Sequence, residues 1–564
     1  MSRLVSGMWV GVVCVWPVVA VGQVTDEMLA EISKPREIPD AKTYRVPMRD
    51  GAKLATDVTL PKGKPDGKWP VLLIRTPYNR RGLVGAEAAK IVPRFGLVSV
   101  VQDIRGRFGS EGEDFPIHGG CAWFKIQDGY DTIEWIAAQP WCNGKVGTFG
   151  PSAMGITQNL TLPTQPPHLT CAFVMVAASD VYTQGAYWGG APRAVLAKNW
   201  TAENNFDRRN LDLFRAHPAY DEFWQEKNTE AQAHRVNVPV LYYGGWYDMF
   251  CQGTINSFVA AQTHGGPRAR GQCRLIMGPW DHHGPPKDLQ YPDNATPKLE
   301  LWAMQWFQRH MRDVENPTGK KSGKPVFYYV MGACGEPNAP GNVWRAADTW
   351  PVPSERIPYY FGKDGVLSPD APTGQANSAT YRYDPKNPVP TRGGGNLTIA
   401  KGPMDQRPVE NRPDVVLFTT PVLTKPVEVT GRITVKLWAS SSCKDTDFSA
   451  KLCDVYPDGR SMLVLDGIVR ARYRDSLSRP TLMTPGTVYE FSIDLWSTSL
   501  IFNKGHRIRV AISSSNAPRF GPNPNTGDIE CDIDKAVVAW NTVYFDQDRP
   551  SHIILPRPVG APSG

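Results

Sequence analysis

Short apolar runs and amphipathic stretches alternate through the first part of the chain. The runs that predict buried strands lie at residues 71–74, 97–102, 169–178, 238–243 and 273–277. Helical spacing of apolar positions marks residues 131–139 and 299–311, and the second helix is expected to close this part of the chain. Polar and apolar positions alternate around Asp50-Gly51 and predict a hairpin. Buried strands that alternate with helices indicate a parallel sheet covered on both faces, as in the α/β class.

The pattern changes twice further along the chain. Between residues 179 and 235 the strand signals fade and aromatic residues are dense, which predicts a helical insertion. From about residue 351 onward, short β-rich runs recur with turns between them. These runs lie at residues 414–418, 427–438, 448–455, 488–495 and 506–513. Regular short strands of this kind predict a C-terminal β-sandwich.

Length, charge and cysteine content narrow the functional classes. A chain of 564 residues is too long for one hydrophobic core, so two or three domains are expected. The net charge of +7 comes without a long basic run, which favours solubility over nucleic-acid binding. Removing Cys14 with the leader leaves nine of the ten cysteines. An odd number without a Cys-x-x-Cys pair argues against a full disulfide framework and against a zinc or thioredoxin-like site.

The first residues predict that the protein is exported. Arg3 precedes an apolar run over about residues 7–21 that ends in small residues, which is typical of a secretory signal at residues 1–22. An uncleaved N-terminal anchor is the alternative. No later segment is apolar enough to span a membrane, so we expect a periplasmic or secreted mature chain without a membrane span.

A serine between a predicted strand and a predicted helix is the first candidate for chemistry. Ser152 lies in the sequence Gly150-Pro151-Ser152-Ala153-Met154-Gly155, and glycines at both ends permit a sharp turn. This is the nucleophile-elbow arrangement, in which the helix N-terminus directs backbone N–H groups at the substrate. A glycine-rich turn with a capping serine is the alternative at this point.

Two later strands supply the partners that a nucleophilic serine needs. Asp248 follows the predicted strand at 238–243, and His282 follows the one at 273–277. The carboxyl ends of parallel strands meet at one edge of a sheet, so both side chains are expected on the edge that carries Ser152. The same geometry separates Cys251 from Cys273 by about 20–30 Å, so these two residues are not expected to form a disulfide.

With these residues in place, the chain resembles the cocaine esterase and Xaa-Pro dipeptidyl-peptidase group of serine hydrolases. The resemblance runs from about residue 40 to 555, with the matching segments in the same order. They are residues 74–78, 102–106, 131–135, the Ser152 elbow, 245–248, 278–282, 445–448, 516–520 and 523–527.

The resemblance implies an α/β-hydrolase domain with a doubly wound sheet, an inserted helical cap and a C-terminal jelly-roll β-sandwich. It places the hydrolase domain at residues 35–178 and 236–345, the cap at 179–235 and the jelly roll at 350–558. It implies no metal and no organic cofactor. Nucleophile, acid and base are then Ser152, Asp248 and His282, and the oxyanion hole combines the Tyr78 hydroxyl with the Ala153 N–H.

Two departures from the family pattern bear on the substrate. Ala153 replaces a frequent tyrosine, which changes the pocket wall but leaves the backbone N–H. Met249, Phe250 and Cys251 stand where amino-acid ester hydrolases carry carboxylates that hold a substrate amine, so that branch is disfavoured. Phe250 matches an aromatic residue that lines the acyl pocket in cocaine-esterase-like members.

Several further residues have two interpretations. Trp188 and Trp200 either line the substrate pocket or pack in the core of the cap. Asp103 and Arg105 are expected to form a structural ion pair that holds loops, and His283 is expected to be only a neighbour of the base.

The resulting hypothesis is an exported serine hydrolase that cleaves a carboxylic ester, or an amide, through an acyl-enzyme. Its substrate is a small-molecule ester, an amide or a short peptide. A dipeptidyl-peptidase acting after proline is one alternative, and it needs an acidic anchor for the substrate N-terminus. A ligand-binding protein that uses the jelly roll and carries an idle hydrolase domain is the alternative from another class.

Overall fold

The structure of the protein is a computed structural model that describes residues 31–62, 67–312, 323–529 and 532–560. The predicted signal at residues 1–22 lies outside the described residues, as do Cys14 and Cys531. Across the described ranges, no helix combines the length and the apolar character that a membrane crossing requires.

A ten-stranded sheet forms the centre of the first part of the chain. Its strands follow the order β1-β2-β4-β3-β5-β6-β9-β10-β11-β12, with β7 and β8 forming a separate hairpin. The neighbouring strands β4, β3, β5, β6, β9, β10 and β11 are parallel, and antiparallel strands lie at both edges. The strands are β1 (Lys42–Pro47), β2 (Lys53–Thr59), β3 (Trp69–Thr76), β4 (Val98–Asp103), β5 (Cys142–Pro151), β6 (Leu169–Met175), β7 (Tyr187–Trp188), β8 (Ala191–Pro192), β9 (Val240–Gly245), β10 (Arg274–Gly278), β11 (Val326–Val330) and β12 (Val343–Ala347).

Helices connect these strands and cover both faces of the sheet. They are α1 (Leu83–Ile91), α2 (Asp128–Ala137), α3 (Ala153–Thr161), α4 (Ala194–Glu203), α5 (Arg209–Ala216), α6 (Glu222–Gln225), α7 (Cys251–His264) and α8 (Leu299–Met311). Alternate residues of β3 point to opposite layers. Leu72 and Ile74 pack in the cluster that includes side chains of α1 and α8, whereas Val71 and Leu73 pack in the cluster that includes α2, α3 and α7. Burial on both faces explains the continuous apolar runs of these strands.

The insertion between β6 and β9 forms a helical cap above the carboxyl ends of the strands. It contains the β7–β8 hairpin, a π-helical turn at Tyr182–Ala186 and helices α4, α5 and α6. Aromatic side chains form its own core, with the rings of Tyr182 and Tyr187 4.8 Å apart and Trp224 packed against both. The dense aromatic residues of the insertion are therefore largely structural.

Two antiparallel sheets form a β-sandwich in the last third of the chain. Its elements are β13 (Ser354–Phe361), β14 (Leu367–Ser368), β15 (Ser378–Tyr383), α9 (Arg407–Glu410), β16 (Val416–Thr419), β17 (Val427–Ser441), β18 (Asp447–Val455), β19 (Ser461–Arg470), β20 (Tyr489–Phe502), β21 (Arg507–Ser513), β22 (Ala539–Tyr544) and β23 (His552–Pro558). Strands β16, β21, β18 and β19 form one sheet, and the other strands form the second. Phenylalanine pairs join the two sheets: Phe361 stacks on Phe418 at 4.2 Å, and Phe448 lies 4.7 Å from Phe491.

This architecture confirms the predicted fold class: a doubly wound α/β sheet, an inserted helical cap and a C-terminal β-sandwich. One connection is corrected. The helix over 299–311 is present, but it does not close the sheet, because it leads to β11 beside β10 and then to β12. The domain boundaries and the jelly-roll strand order stay predictions. The eight cysteines in the described ranges are buried and unbridged, which confirms that Cys251 and Cys273 form no disulfide.

Candidate active site

Ser152 occupies a sharp turn between β5 and α3. Its φ of 57° and ψ of −126° are sparsely populated for a residue with a side chain. A Cβ atom on Gly150 would lie 2.6 Å from the Cβ of Met154, and one on Gly155 would lie 2.7 Å from the Cβ of Ala177. Both glycines are therefore required by close packing, and the turn has the strand–turn–helix geometry that the sequence predicted here.

A chain of two hydrogen bonds joins the three residues that the sequence placed at one edge of the sheet. His282 Nε2 lies 2.9 Å from Ser152 Oγ, and His282 Nδ1 lies 2.6 Å from Asp248 Oδ2. The carboxylate can only accept, so Nδ1 carries the hydrogen and Nε2 is free to accept from the serine hydroxyl. The Phe250 N–H donates to Asp248 Oδ1 at 2.7 Å and fixes the carboxylate.

Backbone contacts hold the acid and the imidazole in register. The loops after β9 and β10 are tied together, because Trp246 N–H donates to the Gly278 carbonyl and Tyr247 N–H donates to the Trp280 carbonyl, each at 2.9 Å. A Cβ on Gly245 would lie 2.1 Å from the Trp280 oxygen, so only glycine permits this approach. Asp248 and His282 are 2% and 6% exposed, so little water competes for their hydrogen bond.

The Tyr78 hydroxyl lies beside the serine. It accepts a hydrogen bond from Trp200 Nε1 at 3.0 Å. Burial raises the pKa of Tyr78 to about 12, although hydrogen bonds with Trp200 and Ser152 lower it in part. The phenol therefore keeps its proton at neutral pH. Ala153 is the first residue of α3, where helical N–H groups have no acceptor within the helix.

A mostly apolar cavity opens beside Ser152 beneath the cap. The predicted pocket residues Phe250 and Trp200 line it, together with Ile117 and Leu196. Trp188 does not line this cavity. Its indole stacks on Trp496 of the β-sandwich at 3.6 Å and donates to the Asp494 carbonyl at 3.1 Å, so it joins the cap to the sandwich instead.

Among the cavity residues that were not predicted from the sequence, three come from separate parts of the chain. His118 comes from the loop after β4, Lys227 from the cap and Leu397 from the β-sandwich part of the chain. They lie far apart in the chain and carry no shared motif, so only the packing of the cap and the sandwich brings them together.

The C-terminal part of the chain also supports the loop that carries Asp248. Buried Arg193 of the cap donates to the Met249 carbonyl at 3.2 Å and to the Gly395 carbonyl at 3.4 Å. Asn199 of α4 donates to Thr398 Oγ1 at 3.1 Å. The cap, the residue after Asp248 and the loop around 395–398 therefore form one connected wall of the site.

The expected ion pair between Asp103 and Arg105 is absent from the described residues, because each pairs elsewhere. Asp103 binds Arg80 at 2.7 Å, and Arg105 binds Asp128 at 2.7 Å and Asp50 at 2.9 Å. Both residues hold loops, as expected, but through separate partners.

His283 contacts a lysine rather than the serine. Its Nδ1 lies 2.5 Å from Lys401 Nζ. Burial, helped by the neighbouring Lys401, lowers the pKa of His283 to about 2, so its ring is neutral at neutral pH. It adjoins the imidazole that contacts Ser152 without taking its place.

Sequence comparisons relate both halves of the chain to one group of hydrolases. The profile of X-Pro dipeptidyl-peptidase (S15 family) matches residues 50–213 and 201–284. The profile described as X-Pro dipeptidyl-peptidase C-terminal non-catalytic domain matches residues 295–554. Cocaine esterase of Rhodococcus sp. (strain MB1 Bresler) is 35% identical over 586 residues, which cover 92% of this chain and 98% of the esterase.

Solved structures agree with this relation. An α-amino acid ester hydrolase is 28% identical, with a TM-score of 0.79 over 93% of this chain and 98% of its own. An aminopeptidase from a marine sediment archaeon (Thaumarchaeota archaeon) has a TM-score of 0.78 at 24% identity, over 93% of this chain and 97% of its own. The second likeness supports the fold alone.

Proposed function

The chain belongs to the cocaine esterase and X-Pro dipeptidyl-peptidase group and is therefore a hydrolase of ester or peptide bonds. We propose that it cleaves carboxylic esters through an acyl-enzyme on Ser152. The observation that carries the proposal is the hydrogen-bond chain from Ser152 through His282 to buried Asp248. A serine hydroxyl becomes a nucleophile when a base takes its proton and a third group orients that base.

The proposed reaction begins when Ser152 Oγ attacks the ester carbonyl and His282 Nε2 takes the hydroxyl proton. Asp248 holds the Nδ1–H and stabilises the imidazolium. The carbonyl oxygen, now negative, accepts hydrogen bonds from the Tyr78 hydroxyl and the Ala153 N–H. The C–O bond to the alcohol then breaks, and the imidazolium protonates the leaving alcohol. Water, activated by the same imidazole, hydrolyses the acyl-enzyme.

The charges around the cavity favour esters over peptides with a free N-terminus. A dipeptidyl-peptidase needs a carboxylate to hold the substrate ammonium group. None of the side chains that line the cavity in the described residues is acidic, and its charged group is Lys227. The residues after Asp248, Met249 to Cys251, are buried and uncharged. An ammonium group would therefore lose its hydration without a partner.

Labelling with a fluorophosphonate probe tests the nucleophile. We expect the wild-type protein to be labelled and Ser152→Ala to remain unlabelled. Ser152→Ala is also expected to lose ester hydrolysis. Ser179→Ala is the matched control, because this buried serine hydroxyl binds Glu230 at 2.6 Å rather than a histidine. Equal labelling of wild type and Ser152→Ala would refute the assignment.

The choice of substrate has its own test. Turnover of Ala-Pro-anilide is expected to be far below that of simple aryl esters. Preference for the anilide would favour the dipeptidyl-peptidase alternative. Tight binding to the β-sandwich without turnover of either substrate would favour the ligand-binding alternative.

Export is part of the same proposal. It rests on the apolar leader over residues 1–22, which follows the pattern of a secretory signal. Fractionation of the producing cells, followed by N-terminal sequencing, is expected to give exported protein that begins at Gln23. Full-length protein in the cytoplasm would contradict this part.

A further inference from the structure

A lysine is buried in the wall of the substrate cavity without an acidic partner. Lys227 follows α6 in the cap, is 6% exposed and lines the same cavity as Ser152. Its ammonium donates to the Phe223 carbonyl at 3.0 Å and lies 3.6 Å from the centre of the Phe223 ring. Among the described residues, no carboxylate lies within ion-pair distance of it. The Phe223 carbonyl takes one of the three donor positions of this ammonium, and no carboxylate of the described residues takes either of the other two.

An unpaired cation at a buried position has a high cost in free energy. Removing an ammonium from water is repaid only when an opposite charge or several hydrogen bonds replace the water. Burial lowers the pKa of Lys227 to about 8, and the charges of Glu226 and Asp221 raise it only in part. At neutral pH the side chain is still mainly protonated, so the cavity wall carries a positive charge.

His118 provides a second unsatisfied polar atom in the same wall. It is 8% exposed, and its Nδ1 is buried without a hydrogen-bond partner. Burial, followed by the charges of Arg75 and Lys227, lowers the pKa of His118 to about 4. The ring is therefore neutral at neutral pH and has a nitrogen available for a ligand. The remaining lining of the cavity is almost entirely apolar, so these two groups stand out as polar positions.

We propose that the cavity recognises esters that carry a carboxylate, which pairs with the Lys227 ammonium and accepts a hydrogen bond from His118. This inference rests on the proposed ester hydrolysis at Ser152 and specifies its substrate class. A carboxylate supplies the missing counter-charge at Lys227 and a partner for the imidazole, while the apolar lining holds the body of the substrate. The charge preference is opposite to that of a site built to hold a substrate amine.

Two pairs of esters of nearly equal shape test this proposal on the wild-type protein at pH 7. One pair carries the charge on the acyl side: ethyl 4-carboxybenzoate and ethyl 4-carbamoylbenzoate. The other carries it on the alcohol side: 4-carboxyphenyl acetate and 4-carbamoylphenyl acetate. We expect kcat/KM for the carboxylate to exceed that for the amide by about tenfold or more in one pair, the size of a charge-assisted hydrogen bond. Equal values in both pairs, or a preference for the amides, would overturn the proposal.

Variants then assign the preference to its residue. Lys227→Met keeps the length of the side chain and removes the charge, so the carboxylate-to-amide ratio is expected to fall to about one or below. Lys227→Arg is expected to retain most of the ratio. Lys198→Met, at an exposed position of α4 in the same cap, changes the net charge equally and is expected to leave the ratio unchanged. A ratio that persists in Lys227→Met would show that another group binds the carboxylate.

Two controls keep the outcomes distinct. If Lys227→Met does not fold, competitive inhibition of the wild-type protein tests the proposal instead. We expect benzoate to inhibit more strongly than benzamide. Equal inhibition by the two compounds would count against the proposal. Hydrolysis of the neutral ester 4-nitrophenyl acetate by Ser152→Ala reports on the catalytic proposal. If Ser152→Ala is inactive but the wild-type protein shows no charge preference, only the inference about Lys227 fails.

Discussion

Removal of the Tyr78 hydroxyl, which we propose as one donor of the oxyanion hole, tests the proposed chemistry with the smallest structural change. Tyr78→Phe keeps the ring in place. The hydroxyl accepts from Trp200 Nε1 at 3.0 Å, and burial raises its pKa to about 12. It therefore stays protonated through the neutral range. Because Trp200 donates to an oxygen lone pair, the hydroxyl hydrogen of Tyr78 is free to point toward the reacting oxygen.

The expected effect follows from the role of that hydrogen. One donor to an oxyanion stabilises the transition state by about 2.7–4 kcal/mol, so kcat is expected to fall by about 10²–10³-fold. KM is expected to change little, because the contact strengthens mainly when the oxygen becomes negative. Trp200→Phe is the matched control: it removes the partner of the hydroxyl but leaves the hydroxyl, so its loss in kcat should stay below about tenfold.

Steady-state hydrolysis of 4-nitrophenyl acetate at pH 7 measures both constants, and thermal unfolding checks that the variant is folded. Tyr78→Phe leaves the Trp200 N–H without its acceptor, so a loss of about 1–3 kcal/mol in unfolding free energy is expected. A folded Tyr78→Phe protein with wild-type kcat would refute the reasoning. A rise in KM with unchanged kcat would place Tyr78 in substrate binding alone.

Three further predictions follow from the structure. Asp248→Asn is expected to lower kcat by about 10³–10⁴-fold in the same ester assay, because an amide favours the wrong tautomer of the imidazole; a loss below tenfold would contradict this. Gly155→Ala is expected to cost about 1–3 kcal/mol in denaturant unfolding, because its Cβ would lie 2.7 Å from that of Ala177; the control Gly323→Ala has open space, and equal losses would count against the packing argument. Burial and the charge of Glu230 raise the pKa of Asp180 to about 7, although hydrogen bonds from Thr183 and Tyr182 lower it in part, so the native state loses stability as pH rises from about 4 to about 7. Asp180→Asn should therefore raise Tm more at pH 8 than at pH 5, and equal shifts would refute this.

The sheet and the three residues at its edge were predictable because they depend on local patterns and on one rule of topology. Strands buried on both faces appear as short apolar runs, and β3, β9 and β10 were recognised in this way. Once the strands are parallel, the residues that follow them share an edge. Ser152, Asp248 and His282 therefore needed no knowledge of how the cap packs.

The walls of the cavity were not predictable by the same reasoning. Lys227 belongs to the cap, and His118 and Leu397 belong to two separate loops, so no periodicity relates them. Trp188 illustrates the reverse case: an aromatic residue of the cap was a candidate for the pocket, but it stacks on Trp496 of the sandwich. Side chains at contacts between domains depend on packing between distant segments, which a single sequence does not reveal.

The predicted ion pair between Asp103 and Arg105 was wrong for a related reason. Asp103 and Arg105 are close in sequence and of opposite charge, yet each binds a partner from another loop or helix. Proximity in the chain identified residues that hold loops but did not identify their partners.

The measurement that tests the central claim most directly is mass spectrometry of the protein quenched in acid during hydrolysis of 4-nitrophenyl acetate. The account predicts an acetyl group on the peptide that contains Ser152, absent from Ser152→Ala and from protein quenched before substrate is added. Full ester turnover by Ser152→Ala, or an acetyl group on another residue that is formed and lost at the rate of turnover, would contradict it.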